Sequence, residues 1–120
     1  MSKNPVDRSN AEHYIWADVC DGWRLLSQSD LAVIEERMPA GAKDSVHKHA
    51  RSTQLFYILS GELQIDIEGT KVTGKAGQAL HVPKGAAHYL SNITDVDAIY
   101  LSIASPAIHE DREELEFVQI

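Results

Sequence analysis

Cysteine is nearly missing from this chain: Cys20 stands alone in 120 residues, so no internal disulfide can form, and cysteine usage gives no sign of an oxidising compartment. No basic cluster flanks Cys20, which therefore reads as a small buried hydrophobe rather than a reactive thiol. Positive charge is also scarce. Eleven Lys and Arg against 18 Asp and Glu give a formal charge of -7, which opposes approach to a nucleic-acid backbone or an anionic membrane surface. No apolar run approaches the roughly 20 residues that cross a bilayer. The opening M-S-K-N-P-V-D-R-S-N is too polar for the core of a signal peptide. The expectation is a cytoplasmic protein whose partner is a small molecule or another protein chain, with no nucleic acid and no membrane.

What is present suffices for one core. A hydrophobic content of 43% in a chain of this length supports a single domain over 1–120 and is too little to divide between two. From Trp23 onward, short strand-like segments alternate with turns. W-R-L-L at 23–26 and L-A-V-I-E-E-R-M at 31–38 come first, the second stopped by Pro39 and Gly41. T-Q-L-F-Y-I-L-S at 53–60 ends at Gly61. E-L-Q-I-D-I-E at 62–68 has the strict period of two expected of a strand with one wet face, and 71–73 returns as the second arm of a hairpin. Segments 79–82, 87–91 and 96–104 complete the set. Turns every ten residues or so are the pattern of an antiparallel sandwich or barrel. Only the ends, 7–17 and the charged run 109–116, read as weakly helical.

Three of the six histidines form a suggestive set. His47 and His49 stand two apart, so on an extended segment both imidazoles project to one face; His88 belongs to another predicted strand. Neutral imidazole is a good ligand for zinc, copper, iron and nickel. A His-x-His pair alone is weak evidence, and its surroundings strengthen it.

Residues 41–61 read G-A-K-D-S-V-H-K-H-A-R-S-T-Q-L-F-Y-I-L-S-G, and 77–92 read G-Q-A-L-H-V-P-K-G-A-A-H-Y-L-S-N. These resemble the two sequence motifs of the cupin superfamily. Gly41, His47, His49, Gly61, Gly77, Pro83, Gly85, His88 and Asn92 all stand where that pattern wants them. One position departs, because the glutamate that is a metal ligand in many cupins is Gln54 here.

The resemblance implies an all-β double-stranded β-helix, or jelly-roll barrel, with its core at about 23–104. It also implies one divalent transition metal per chain (Fe, Mn, Ni, Cu or Zn) on His47, His49, His88 and Gln54. An amide oxygen can coordinate but brings no formal charge, so weaker binding than with glutamate is expected. Alternation puts Phe56 and Ile58 on the face of Gln54 and Leu90 on that of His88, which makes these three the pocket candidates; all three serve equally as barrel packing. Arg51, Tyr57 and Tyr100 are candidate polar contacts of unknown facing. His81 matches no ligand position, and His13 and His109 lie outside both motifs. No residue stands out as a general base.

The activity implied is a metal-dependent, dioxygenase-like reaction on a small organic substrate. The alternatives are a non-catalytic binding or sensing module and a sugar or keto-acid isomerase or epimerase, and fold does not choose among them. The resemblance also implies a homodimer. Tyr14, Ile15 and Trp16 are candidates for its contact, against an alternative in which Trp16 and Trp23 cap the barrel of their own chain.

Overall fold

The computed structural model of the chain describes residues 4–107 and 111–115. Eleven antiparallel strands are found among them: β1 (Glu12–Trp16), β2 (Cys20–Ser27), β3 (Ala32–Met38), β4 (His47–His49), β5 (Thr53–Ser60), β6 (Glu62–Ile67), β7 (Thr70–Lys75), β8 (Ala79–Val82), β9 (His88–Ser91), β10 (Ala98–Ser105) and β11 (Arg112–Glu114). They form a six-stranded sheet in the order β1-β2-β3-β10-β5-β8 and a five-stranded sheet in the order β11-β4-β9-β6-β7. The two sheets enclose one core, as the jelly-roll expectation requires.

Alternation decides which side chains go inside. Along β10, Ala98, Tyr100, Ser102 and Ala104 are buried while Ile99, Leu101 and Ile103 between them are only half-buried; on β6 the buried pair is Leu63 and Ile65. Met38, Phe56, Ile58, Leu80, Val82 and Leu90 join them in one continuous cluster. Burial of this kind is worth about 1.5–3 kcal/mol per large aliphatic or aromatic side chain, which is what drives the two sheets together. The motif glycine Gly61 sits between β5 and β6 at φ +76, and a Cβ there would lie 2.4 Å from the carbonyl oxygen of Asp97. Positive φ and close backbone approach both demand glycine at that point.

The helical expectation at the two ends is corrected. Residues 12–16 form β1, paired with β2 in the register Tyr14↔Gly22 and Trp16↔Cys20, so the sheets extend well outside 23–104. The alternation there escaped notice because the inward positions carry amphipathic Tyr14 and Trp16 while outward Ile15 is exposed. Residues 112–114 form β11, which pairs with β4 through Arg112↔His49 and Glu114↔His47. Charge on that segment marks a short, exposed edge strand, a usual protection against edge-to-edge association. His109 lies outside the described residues. No helix among the described residues is long and apolar enough to cross a membrane.

Candidate metal centre

The first pair of imidazoles is set by β4. With His47 and His49 at alternate positions, both side chains enter the interior, where they are 4% and 2% exposed. Antiparallel pairing of β4 with β9 puts His88 directly opposite His47, with ring centroids 4.3 Å apart. The Pro83–Gly85 turn is tied to the same strand, since the amide of Gly85 donates to the carbonyl of His49 at 2.7 Å. The three imidazoles thus come together from two adjacent strands, each offering one nitrogen such that all three atoms lie within 4.8 Å of one another.

Backbone carbonyls choose which nitrogen faces inward. Nδ1 of His47 donates to the Ser45 carbonyl at 2.7 Å, and Nδ1 of His88 to the Ala86 carbonyl at 2.9 Å. This fixes the proton on Nδ1 and leaves each Nε2 as a lone-pair donor, the outer-shell arrangement that metal-binding histidines use. Nε2 of His88 and both ring nitrogens of His49 are buried without a hydrogen-bond partner. Orphaned buried nitrogens are costly unless something else satisfies them. Burial is the first cause that lowers the pKa of all three rings, to about 4 for His49 and His88, so the site presents neutral imidazoles at physiological pH.

Gln54 lies on β5 and is only 3% exposed. Its amide nitrogen donates to Oγ of Ser102 on the neighbouring β10 at 3.0 Å, and its carbonyl oxygen has no partner. Ser102 therefore orients the amide and leaves the oxygen available. Three buried imidazoles, two of them with partnerless nitrogens, beside a partnerless amide oxygen fit a borderline divalent metal.

The sequence profile of the cupin domain matches residues 34–104, more than half of the chain, and so takes in all four of these residues. This chain is a cupin. A protein of uncharacterised function from Methanocaldococcus jannaschii is 33% identical over 86 residues, covering 71% of this cupin and 69% of that protein. An oxalate-binding protein of Thermotoga maritima is 30% identical over 67 residues, which is 56% of this chain and 55% of the relative. Among solved structures, the polyketide cyclase RemF from Streptomyces resistomycificus superposes with a TM-score of 0.82 over 99% of this chain and 89% of RemF, at 16% identity. At that identity the likeness is one of fold.

A cavity of about 190 Å³ reaches the site at His47 and Gln54. Tyr14, Trp16, Ile34, Phe56 and Leu90 supply its apolar wall, while Arg24, Glu36, Asp44, His47, Gln54 and Arg112 supply polar groups. Phe56 and Leu90 thus line the cavity as pocket candidates should. Ile58 does not: it is fully buried in the core, one inward position further along β5, with the tip of its side chain against Gly74. Of the candidate polar contacts, only Tyr100 faces inward; Arg51 and Tyr57 are exposed. His81 and His13 are exposed, as expected of non-ligands, and Cys20 is fully buried with its thiol pushed up to about 12 by burial and by Glu36. Tyr14 and Trp16 turn into the cavity, so of the proposed dimer contacts only Ile15 points outward.

Sequence reasoning missed Glu36 and the Asp44–Arg112 pair. Arg112 brings β11 back to the cavity edge, where its guanidinium binds Asp44 at 3.0 Å, Ser45 at 3.0 Å and Glu114 at 2.9 Å. Its donors are thereby committed within the protein. Glu36 occupies an inward position between Ile34 and Met38, and burial pushes its carboxyl up to about 8, partly offset by the Tyr100 hydroxyl. The signal was parity: a carboxylate at an even position of β3, where every neighbour of the same parity is apolar.

Proposed function

We propose that this cupin holds one divalent transition metal on His47, His49 and His88, with the Gln54 oxygen as a fourth donor, and acts on a small organic acid in the adjoining cavity. The observation that carries this reading is the convergence of three buried imidazole nitrogens within 4.8 Å, those of His49 and His88 having no hydrogen-bond partner. All four donors are neutral, so the positive charge of a bound dication stays uncompensated by its ligands, which favours an anionic ligand at the open positions. The Thermotoga maritima relative, an oxalate-binding protein, supports a small acid as the ligand class. A bound metal would supply Lewis acidity, or electron transfer to dioxygen where the ion is redox-active.

Dioxygenase-like oxidation is the first reaction to test, because imidazole donors suit iron and copper and the cavity leaves room for substrate beside the site. Elemental analysis after mild dialysis should find about one first-row metal per chain. The iron-loaded protein should then consume oxygen with a panel of phenolic, keto-acid and sugar substrates. No retained metal sinks the metal reading, while metal with bound acid and no turnover leaves a binding module. A second reading, isomerisation by proton transfer, is favoured by Glu36 facing the same cavity.

We also propose a homodimer, paired through the outer face of the six-stranded sheet rather than through β1. Tyr57 and Leu59 are exposed there, beside half-buried Ile99 and Leu101. Light scattering on the eluting protein should give twice the chain mass; a monomer at micromolar concentration ends the proposal.

A further inference from the structure

We propose that Glu36 is the acid–base residue of this cavity, exchanging a proton with the carbon next to the carbonyl of a small 2-oxo acid whose oxygens face the imidazole triad. The inference rests on the metal-site reading above and adds the class of substrate and the group that moves its proton.

The case starts from where Glu36 stands. Its carboxyl enters the barrel from β3 and lines the same cavity as His47 and Gln54, which reach it from β4 and β5. Among the described residues no cation forms an ion pair with it: Arg112 is taken by Asp44, Ser45 and Glu114, and Arg24 donates to exposed Glu12 at 2.7 Å. The groups facing it are Tyr14 from β1, Cys20 and Arg24 from β2, Tyr100 from β10, Asp44 before β4, His47 on β4 and Arg112 on β11. Tyr14 and Tyr100 both have their hydroxyls pushed up, to about 12 for Tyr14, and Cys20 likewise to about 12, so none of the three competes for the proton near neutrality. The Tyr100 hydroxyl is buried and interacts with the Glu36 carboxyl without reaching hydrogen-bond geometry, so it has a donor to spare. An unpaired carboxyl in a mostly apolar cavity is held neutral by desolvation and titrates near working pH, which is what a proton carrier needs.

The substrate class follows from a cavity that Glu36 enters from the six-stranded sheet and His47 from the five-stranded one. A volume of about 190 Å³ takes a molecule of a few carbons. Its anionic end belongs with the neutral donors around the triad, since the nearby arginines are already engaged. That leaves the carbon end toward Glu36. In the step itself, the C–H bond beside the carbonyl breaks and its proton passes to a Glu36 carboxylate oxygen. The electron pair moves into the carbonyl as an enolate, and the same carboxylic acid returns a proton to carbon. No oxidant or reductant is consumed.

The test uses the full chain and two probes. Carbon-13 NMR of the metal-free protein should show the Glu36 carboxyl titrating with a midpoint near 8, and Tyr100→Phe should move that midpoint upward, because the hydroxyl favours the charged form. In deuterium oxide, the zinc-loaded protein should exchange the methyl protons of pyruvate faster than free zinc does, with a rate that rises through pH 8 and levels above it. Glu36→Gln should lose about 100-fold or more of that exchange while still binding oxalate by calorimetry. A midpoint near 4.5, or unchanged exchange in the Gln variant with zinc and oxalate still bound, overturns the role of Glu36. Failure of the wild type to bind zinc or oxalate overturns instead the metal-site reading on which it stands.

Discussion

Gln54 and Ser102 are joined by one hydrogen bond, 3.0 Å from amide nitrogen to hydroxyl oxygen, and that bond leaves the amide oxygen buried without a protein partner. Without Ser102 the two ends of the amide become nearly equivalent. The expected outcome of Ser102→Ala is a loss of about tenfold in metal affinity, the size typical of outer-shell changes, measured by competition with a chelator. Gln54→Glu restores an anion to the donor set and should raise affinity above wild type. If both variants bind as wild type does, Gln54 is not a ligand.

The same burial that keeps the imidazoles neutral makes the metal-free fold sensitive to acid. His49 and His88 drop from the usual 6.5 to about 4, first because they are desolvated. Between those values the unfolded chain binds more protons than the folded one, so stability rises with pH across that window. The two rings should therefore lower the melting temperature of the metal-free protein by several degrees as pH drops from 6.5 toward 4, while Glu36, held up at about 8, works in the opposite sense and makes stability decline as pH climbs from 6.5 toward 8. His49→Phe removes one of these groups together with two orphaned nitrogens, and a shallower acid limb is the result that thermal scans at a series of pH values should give.

How much of this could be read in advance varied with the range of the interaction. Segments 53–60 and 79–82 match β5 and β8 residue for residue, because each is bounded by turn residues. That His47, His49 and His88 gather was legible through the motif resemblance, whereas the direct pairing of His47 with His88 on adjacent strands was not. β1 and β11 were not, since a strand built of Tyr14, Ile15 and Trp16 or of Arg112 to Glu114 is defined by its neighbour strand and shows no polar–apolar alternation. Glu35 and Glu36 are adjacent acids, and the parity of Ala32, Ile34 and Met38 says that Glu36 turns inward, whereas its pairing with Tyr100 needed the register of β3 against β10. The amide orientation of Gln54 likewise depends on Ser102, five strands later in the chain though adjacent in the sheet.

Asn92 closes the second motif without touching the triad. Its Nδ2 donates to the carbonyls of Met38 and Val96 at 2.9 and 2.8 Å, while its Oδ1 accepts from the amide and hydroxyl of Thr94. This buried side chain thus fastens the end of β3 to the loop leading into β10. Asn92→Ala should cost about 3 kcal/mol, since several buried partners lose their bonds at once, as measured by urea unfolding. Metal content of the folded fraction should be unchanged, and a loss of metal without a loss of stability contradicts the structural assignment.

Tyr14 forms part of the cavity wall only because Gly22 opposite it has no side chain. The two are directly paired across β1 and β2, and a Cβ on Gly22 would sit 2.4 Å from Cζ of Tyr14 and 2.7 Å from its hydroxyl oxygen. Arg24 covers the ring from the same strand, its guanidinium 4.4 Å from the centroid, so the ring cannot simply slide along the sheet. Gly22→Ala must then displace the ring, at about 1–3 kcal/mol for overpacking, and reshape the cavity in front of the metal site. Adding Tyr14→Ala removes the clash, so the double variant should be no less stable than Tyr14→Ala alone. A double-mutant cycle by chemical denaturation measures this directly; strict additivity means that Tyr14 does not pack over Gly22 in solution and that the cavity wall is built differently.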